Sequence, residues 1–365
     1  MPAPSRHFAC CPWLRLPAAL YGLAVRVRNL AFDRGWLPQE QFRTPVISVG
    51  NLAVGGTGKT PHTELLIRLL QPHARVAVLS RGYRRRTRGY REATPADTAA
   101  TLGDEPYQMY HKFPELTVAV CADRREGIRR LEAGVKPDVI VLDDAFQHRY
   151  VKPGLSLLLT TYDRPYTADC LLPAGRLREP ATGSRRADAV VVTKCPTALS
   201  ATDCARLRQQ LRLQPGQHLY FTTYRYGAPY PLLTALRSGE WAAPPALLVV
   251  AGIAHPQGLL HHAATLAPRT RALTFADHHA FSQTDVERLW RLWRSLPPGA
   301  LILTTEKDAA RLRALSVPPA LNGLLDAIWV QPIEVCFVGQ DGSDPHFQQF
   351  ILDYVTRNSP NPAIH

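Results

Sequence analysis

The chain has 365 residues, of which 45% are hydrophobic and 20% are charged, and its formal net charge is +13. This composition excludes an intrinsically disordered chain and a fibrous repeat protein, and the length suffices for two packed domains. The positive charge favours an anionic partner (nucleic acid, an acidic membrane surface or a phosphorylated substrate) without deciding among them.

The N-terminal residues 1–40 contain an apolar segment interrupted by arginines. Because Arg15, Arg26 and Arg28 break the run from 12 to 32, neither a transmembrane span nor a signal peptide is predicted. On a helical wheel, one face collects Trp13, Leu16, Leu20, Leu23, Ala24, Val27, Leu30 and Ala31. Arginines border this face, which is typical of a helix lying in a membrane interface. The alternative is an amphipathic helix packed on its own domain.

A β-branched run at Val46–Val49 leads into a glycine-rich loop and then into a helix that begins with Lys59-Thr60. The pattern predicts a phosphate-binding loop and therefore a nucleotide site. Lys59 would reach the β- and γ-phosphates, and the Thr60 hydroxyl would hold Mg²⁺. The predicted nucleotide-binding residues are Ala53, Val54, Gly55, Gly56, Thr57, Gly58, Lys59 and Thr60. Ala53 stands where this pattern usually has glycine, and we expect Gly55-Gly56 to supply the flexibility instead.

Apolar strands and helices alternate from here to residue 225. The predicted strands are Val46–Val49, Arg75–Ser80, Leu116–Val120, Val139–Leu142, Leu155–Thr160 and Ala189–Thr193. Uniformly apolar strands indicate a parallel sheet covered on both faces, with active groups at the carboxyl ends of its strands. Asp143 and Asp144 follow one such strand, where a phosphate-binding loop requires an acidic partner for Mg²⁺.

A second α/β unit follows the Pro-containing stretch Tyr226–Pro231. Its predicted elements are strands at Ala246–Ala251, Arg271–Phe275, Ala300–Thr304 and Ala327–Val330, and helices at Gln257–Ala267, Asp285–Ser295 and His346–Thr356. The predicted fold is therefore α/β: a P-loop NTPase-like, doubly wound parallel sheet over 41–225, a smaller C-terminal α/β domain over 226–365, and the N-terminal segment.

Candidate groups for the acceptor side of a phosphoryl transfer are Asp104-Glu105, in a predicted loop, and Asp277-His278-His279, after a predicted strand. A kinase needs a carboxylate, alone or with a histidine, to take the hydroxyl proton. Metal ligation by the two histidines is an alternative, although no third ligand stands at metal spacing. The residues alone indicate phosphoryl transfer or hydrolysis.

Arginines and cysteines complete the list of candidates. Arg81, Arg124 and Arg178 lie in loop motifs and either clamp phosphate or are ordinary surface charges. The seven cysteines are scattered, odd in number and lack a C-x-x-C pair. We therefore expect neither a disulfide framework nor a zinc site, and a reducing cytoplasmic setting.

Taken in order, these motifs resemble those of the tetraacyldisaccharide 4′-kinase family, the lipid A 4′-kinases of Gram-negative bacteria, over nearly the whole chain. The resemblance is carried by Ser48-Val49-Gly50-Asn51, Gly55-Gly56-Thr57-Gly58-Lys59-Thr60-Pro61, Ser80-Arg81-Gly82-Tyr83, Gly103-Asp104-Glu105-Pro106, Asp143-Asp144 with Gln147-His148, Leu172-Pro173-Ala174-Gly175, Leu177-Arg178-Glu179-Pro180, Ala251-Gly252-Ile253, Asp277-His278-His279-Ala280-Phe281 and Thr305-Glu306-Lys307-Asp308.

The resemblance implies a monomeric kinase that uses ATP and Mg²⁺ and does not bind nucleic acid. Its lipid substrate would be the acylated glucosamine disaccharide 1-phosphate, phosphorylated at the 4′-hydroxyl by a peripheral protein on the cytoplasmic face of the inner membrane. The implied catalytic residues are Lys59, Asp104 as base, His278 and Asp277. The implied metal residues are Thr60, Asp143, Asp144, Glu105 and Gln147, and the implied phosphate or substrate contacts are Arg81, Arg124 and Arg178. Whether Asp104 or His278 takes the proton stays open.

Two departures and three rival functions accompany this resemblance. Ala145 stands where the family commonly has glycine, and Ala254-His255 also differs from the common pattern. A ParA-like or metallochaperone-type NTPase would share the glycine-rich loop but turn over without a lipid acceptor. A GTPase is disfavoured because Thr193-Lys194-Cys195-Pro196 lacks the aspartate that reads guanine. A nucleic-acid-binding protein is disfavoured because the arginines lack interleaved aromatic residues.

Overall fold

The computed structural model of the protein describes residues 11–233, 241–313, 315, 318, 321, 323–338, 344–359 and 361. Its strands are β1 (Val46–Asn51), β2 (Val76–Ser80), β3 (Arg91–Glu92), β4 (Thr117–Val120), β5 (Val139–Asp143), β6 (Leu155–Thr161), β7 (Ala189–Thr193), β8 (His218–Tyr226), β9 (Tyr230–Pro231), β10 (Leu247–Ala251), β11 (Thr270–Thr274), β12 (Leu301–Thr305), β13 (Ile328–Gln331) and β14 (Ile333–Phe337).

Its α-helices are α1 (Arg15–Asp33), α2 (Lys59–Leu70), α3 (Ala99–Leu102), α4 (Asp104–Lys112), α5 (Arg124–Ala133), α6 (Ala201–Leu211), α7 (Gln257–Leu266), α8 (Gln283–Arg294), α9 (Glu306–Leu312) and α10 (Pro345–Asn358). Four short 3₁₀ segments lie between them within the described ranges, at Pro12–Leu14, Tyr166–Ala168, Ala181–Arg186 and Leu325–Ala327.

Nine strands form the large sheet, in the spatial order β14-β8-β7-β6-β1-β5-β2-β4-β3. Its inner pairs are parallel, and the two edge strands β14 and β3 are antiparallel to their neighbours. One face packs against α2 and α10, through side chains such as Leu66 and Ile351. The other face packs against α5, through Ile128 and Leu131. The predicted parallel sheet with two covered faces is thereby confirmed.

Five strands form the small sheet, in the order β11-β10-β12-β13-β9. All pairs are parallel except the short edge strand β9. Strand β10 is buried along its whole length, with α7 on one face and α8 on the other. This sheet is the predicted second α/β unit.

The end of the chain returns to the large sheet, which differs from the predicted unit 226–365. Strand β14 pairs with β8, and α10 places Phe347, Ile351 and Val355 in the core of the large sheet. The apolar face of α10 finds its cover there, beside α2. Two connections therefore join the sheets, and they touch where the Gly227 amide donates to the Pro332 carbonyl at 3.1 Å.

One face of helix α1 packs on the unit that contains the large sheet, and the opposite face is exposed to solvent. Ala18, Gly22, Val25 and Phe32 are buried. The opposite face exposes the apolar side chains of Trp13, Leu16, Leu20, Leu23, Val27 and Leu30. The helix therefore packs on its own domain, as one alternative predicted, and its apolar side chains on the opposite face are exposed; its place in a membrane interface stays a prediction. None of the described helices is long and apolar enough to cross a membrane.

One cysteine forms a disulfide bond, whereas the sequence led us to expect no disulfide framework. Cys170 is disulfide-bonded. The described free thiols are those of Cys11, Cys121, Cys195, Cys204 and Cys336.

Candidate active site

The glycine-rich loop Ala53–Gly58 connects β1 to α2 at the carboxyl end of the large sheet. Gly55 and Gly58 have left-handed backbones, with φ of +106° and +91°. A Cβ on Gly58 would meet the Tyr224 hydroxyl oxygen at 1.8 Å, so the close approach of β8 also requires glycine there. Of the two adjacent glycines, Gly55 adopts the conformation that is closed to most side chains. Ala53 instead forms an antiparallel bridge with Leu177.

Neighbouring strands hold this loop in place. The Asn51 side-chain amide donates to Thr57 Oγ1 at 2.6 Å, and the Thr193 hydroxyl donates to the Thr57 carbonyl at 2.8 Å. Lys194 follows β7 with a left-handed φ of +56°. Its Nζ lies 3.9 Å from where a Cβ on Gly56 would be. A cation therefore stands beside the loop on the β7 side.

His62, in the first turns of α2, also contacts the loop, and sequence reasoning did not identify it. Its Nδ1 lies 2.8 Å from the Gly58 carbonyl oxygen, and its Nε2 lies 2.9 Å from Thr222 Oγ1. Burial lowers the pKa of His62 to about 4, so the ring is neutral near pH 7. No motif marks this residue, because Thr222 is 160 positions away in the chain.

Asp143, at the end of β5, is a buried carboxylate among other acidic groups. Thr63 and Ser80 donate their hydroxyls to its two oxygens, each at 3.3 Å. Burial raises the pKa of Asp143 to about 6, and the negative charges of Asp144 and Glu105 add to this effect. A cation at this place would relieve that repulsion.

Asp144 contacts two cationic side chains, Lys59 directly after the glycine-rich loop and Arg178. Its Oδ1 lies 3.8 Å from Lys59 Nζ and 2.9 Å from Arg178 Nη2. Burial opposes its ionisation, but Lys59 and Arg178 outweigh burial and lower the pKa of Asp144. Its backbone is left-handed, with φ of +48°, which turns the chain sharply after β5. The structure thus brings together the predicted loop lysine, the acidic pair and one predicted arginine.

The other predicted arginines also lie at this edge. The Arg124 guanidinium is buried and donates to the Ala122 carbonyl at 3.0 Å, and its Nε has no partner among the described residues. Burial lowers the pKa of Arg124 to about 10, against the attraction of Asp143, and the charge of Arg81 lowers it further. Arg81 is exposed beside it. Two neighbouring cations that repel each other suit an anionic ligand.

Whether this place suits a metal ion depends on the donor atoms that its side chains offer. Within the described residues, no group of three or more His, Cys, Asp or Glu side chains is arranged to hold a metal ion. Mg²⁺, however, usually takes one or two protein carboxylates and completes its shell with water and phosphate oxygens. Asp143 and Asp144 meet that need, with Thr60 in the first turn of α2. The Gln147 amide donates to the Asn51 carbonyl at 2.7 Å, while its buried Oε1 has no described partner.

Asp104 and Glu105 lie in the first turn of α4, not in the loop that the sequence predicted. The helix begins directly after Gly103, whose φ of +98° turns the chain into it. Carboxylates are favoured at this end because the helix N-terminus carries partial positive charge. Asp104 Oδ2 lies 3.1 Å from His278 Nδ1, across the gap between the two sheets. The predicted carboxylate–histidine pair is therefore formed by residues from both α/β units.

The two adjacent histidines point to different partners. His279 Nε2 lies 2.9 Å from Asp285 Oδ2, and its ring stacks on Phe275. Of the pair, His278 alone contacts Asp104. The alternative of a shared metal on both histidines is therefore not supported by their geometry.

Two further basic residues lie near His278 and were not among the predicted site residues. Lys307 Nζ lies 3.0 Å from His278 Nε2, 3.1 Å from Asp277 Oδ1 and 3.7 Å from Glu105 Oε1. Arg311 Nε lies 3.9 Å from Asp104 Oδ2. Both belong to α9, which begins in the Thr305–Asp308 motif.

Comparison with known proteins identifies relatives over almost the whole chain. A sequence profile of the tetraacyldisaccharide-1-P 4′-kinases matches residues 11–355. The tetraacyldisaccharide 4′-kinase of Phocaeicola vulgatus is 46% identical over 357 residues, covering 96% of each chain. That of Bacteroides thetaiotaomicron is 45% identical over 371 residues, covering 96% of this chain and 95% of the relative. The crystal structure of Aquifex aeolicus LpxK in complex with ATP aligns with a TM-score of 0.70 and 25% identity, over 94% of this chain and 98% of the other.

Proposed function

We infer the reaction and propose the residue roles from one premise, that this chain belongs to the tetraacyldisaccharide-1-P 4′-kinase family. It is an ATP-dependent kinase of lipid A biosynthesis, and it transfers the γ-phosphate of ATP to the 4′-hydroxyl of tetraacyldisaccharide 1-phosphate. The observation that carries the residue roles is the Asp104–His278 contact of 3.1 Å at the same edge as the glycine-rich loop and the Asp143-Asp144 pair.

On the nucleotide side, the backbone amides of Ala53–Gly58 and the N-terminus of α2 would hold the ATP phosphates. Lys59 would leave Asp144 and reach the β- and γ-phosphates. Asp143, Asp144 and Thr60 would hold Mg²⁺, with Glu105 and Gln147 near it, and a bound ion would supply charge neutralisation for the transferring phosphoryl group. The geometry offers Asp143 for this role, since its burial among acidic groups makes an added cation favourable.

The lipid phosphate and the migrating phosphoryl group need cations that are not already neutralised. Arg124 has an unpaired buried nitrogen, and Arg81 is exposed beside it. Arg178 is held between Asp144 and the Asn51 carbonyl and, like Lys59, would have to release Asp144 in order to reach phosphate. We assign Arg81, Arg124 and Arg178 to phosphate contacts, in which a planar guanidinium can bind two oxygens at once.

On the acceptor side, Asp104 would take the 4′-hydroxyl proton while His278 orients its carboxylate. Asp277 neighbours the pair through Lys307. The O–H bond breaks as the hydroxyl oxygen bonds to the γ-phosphorus, and ADP leaves with the electrons of the broken P–O bond. General-base assistance of this kind contributes about 10²–10⁴-fold to a rate.

The lipid substrate implies a membrane surface. We propose that the protein acts as a monomer on the cytoplasmic face of the inner membrane, with the exposed apolar side chains of α1 in the interface. Leucine and tryptophan side chains on this face are 44–91% exposed, an arrangement that suits burial in lipid. The phosphates of lipid and ATP account for the basic balance, so no nucleic acid is invoked.

Transfer of ³²P from γ-labelled ATP to tetraacyldisaccharide 1-phosphate in detergent micelles tests this function. Wild type should label the lipid, whereas Lys59→Ala and Asp104→Asn should each lose about 10²-fold or more of the rate. Asp203→Asn, which changes a partly exposed aspartate on α6, is the control and should retain full activity. ATP hydrolysis without labelled lipid would overturn the assignment and favour a switch ATPase.

A further inference from the structure

We propose that Lys307 is a positioning residue of this kinase: it fixes the tautomer of His278, so that Asp104 is the group that accepts the proton. The inference rests on the proposed role of the Asp104–His278 pair. It also assigns a function to the Thr305–Asp308 motif, which has no role in the proposed function.

The tautomer follows from which groups can donate. A lysine ammonium has three donors and no acceptor, so at 3.0 Å the His278 Nε2 must be the acceptor. A neutral imidazole carries one N–H, which must then be on Nδ1. Nδ1 lies 3.1 Å from Asp104 Oδ2 and donates to that carboxylate oxygen. Each of the two contacts therefore requires the same tautomer.

This tautomer decides between the two candidate bases. The Nε2 lone pair of His278 is occupied by the Lys307 ammonium, and a proton on Nε2 would place two donors against each other. The Nδ1–H group of His278 therefore donates to Asp104. Asp104 contacts both His278 and Arg311 through its Oδ2 atom. Oδ1 is then the oxygen to which the 4′-hydroxyl proton moves.

Lys307 is itself held on several sides. Asp277 Oδ1 lies 3.1 Å from its Nζ and Glu105 Oε1 lies 3.7 Å away. Burial raises the pKa of Asp277, but Lys307 outweighs burial and lowers it, which indicates a favourable pair. The ammonium thus joins a carboxylate from the α4 side to the loop that carries His278.

The rest of the motif fixes the first turn of α9, which positions Lys307. Thr305 caps the helix by accepting from the Asp308 amide at 3.0 Å. Asp308 in turn accepts from the Gly252 amide at 3.0 Å and pairs with Arg311. The Arg311 Nη1 donates to the His279 carbonyl at 3.0 Å, beside His278. The motif therefore ties helix α9 to the His278 loop.

Two measurements test the assignment on the full-length protein. The ¹⁵N spectrum of the histidine rings, with His278 identified by its loss in His278→Gln, should show protonated Nδ1 and unprotonated Nε2 in wild type. Lys307→Met should give a mixture of tautomers and lower kcat by about 10–100-fold, while KM for ATP changes less than about twofold. Lys307→Arg keeps cationic donors and should restore most of kcat. Lys152→Met, an exposed lysine outside the site, is the control.

Wild-type His278 protonated on Nε2 would overturn the proposal, as would a Lys307→Met variant with unchanged tautomer and kcat. Failure of the proposed role of Asp104 can be distinguished from failure of the role of Lys307. If Asp104→Asn keeps its lipid kinase rate, Asp104 is not the base, whatever the tautomer. If Asp104→Asn is inactive and Lys307→Met is normal, Lys307 alone has been misassigned. Thermal unfolding of each variant separates loss of fold from loss of positioning.

Discussion

His62 supports the glycine-rich loop from inside the fold. A carbonyl oxygen can only accept, so Nδ1 carries the ring proton and donates to the Gly58 carbonyl at 2.8 Å. Nε2 then accepts from the Thr222 hydroxyl at 2.9 Å. Because His62 is buried and its pKa is lowered to about 4, this arrangement persists throughout the neutral range. The loop is thereby linked to β8, the strand that leads to the small sheet.

Replacing His62 separates its two hydrogen bonds. His62→Asn places an amide near the Nδ1 position and should keep the bond to Gly58, whereas His62→Gln reaches only toward Thr222. The Gly58 carbonyl keeps the backbone amide of residue 62 as a partner at 3.2 Å. Losing the imidazole bond therefore costs about 0.5–1.5 kcal/mol, so KM for ATP should rise about two- to tenfold in His62→Gln and less in His62→Asn. KM for the lipid should stay constant in both. Equal KM values for ATP in the two variants would contradict this role.

At the residue scale, local motifs predicted the chemistry, and tertiary contacts decided the details. Lys59, Asp143 and Asp144 stand next to recognisable strand ends, so the sequence sufficed to place them at one edge. The partner of His62 is 160 positions away and that of Lys307 is 29 positions away. No periodicity encodes such pairs, because both arise from how α2, β8, α9 and the His278 loop meet.

At the scale of elements, the buried strands could be predicted because they are uniformly apolar. Strands β5, β6 and β7 begin where predicted and end within one residue of the predictions. Strand β8 was missed, since only two of its nine residues are buried and its sequence includes threonine, tyrosine and arginine. The sequence predicts a helix over Tyr107–Lys112, which begins three residues after the observed start of α4 at Asp104. Pro106 is read as a loop signal, although proline is tolerated in a first helical turn.

Three helices meet at a buried ionic cluster that the sequence did not reveal. Lys112, the last residue of α4, lies 2.6 Å from Glu64 Oε2 on α2 and pairs with Glu306 on α9. Gln108 donates to Glu64 Oε1 at 2.7 Å, and Arg68 lies 3.5 Å from Oε2. The cluster connects the helix of the glycine-rich loop, the helix of Asp104 and the helix of Lys307. Two carboxylates share one lysine at its centre.

Glu64→Gln should therefore stabilise the protein in a pH-dependent way. Burial raises the pKa of Glu64 to about 7, and Glu306 adds to the effect, while Lys112 opposes it. Between the ordinary pKa and about 7 the folded state binds the extra proton, so the free energy of unfolding falls as pH rises through this window. The variant lacks that loss and should gain about 1–3 kcal/mol over wild type at pH 8 relative to pH 5.

Denaturant titrations at pH 5 and pH 8 measure this difference, with Glu115→Gln, an exposed glutamate just after α4, as the control. A stability difference between Glu64→Gln and wild type that is the same at both pH values would show that Glu64 is ionised in the folded protein throughout. Lys112→Met is the opposite case. It leaves two buried carboxylates without their cation and should destabilise the fold at pH 8 more than at pH 5.

At the scale of the whole molecule, α1 packs one face on the protein and leaves an apolar face exposed. Its buried face is held by the Tyr21 hydroxyl, which donates to the Arg178 carbonyl at 2.7 Å, and by the Asn29 amide, which donates to Glu179 at 3.0 Å. The same Arg178 contacts Asp144. The buried face of α1 is therefore linked to the phosphate-binding edge through Arg178, and a membrane on the outer face of α1 would lie on the opposite side of this helix.

The exposed face of α1 should bind anionic vesicles mainly through apolar burial. Leu16, Leu20 and Leu23 are 73%, 63% and 59% exposed, so replacing all three by serine leaves the packed face intact. Each leucine contributes about 1.5–3 kcal/mol on full burial, so the triple variant should bind phosphatidylglycerol vesicles at least about tenfold more weakly in co-sedimentation. Arg15→Ser with Arg26→Ser should lose about 1 kcal/mol per arginine, and only at low salt. Unchanged binding of the leucine variant would place the membrane contact elsewhere on the molecule.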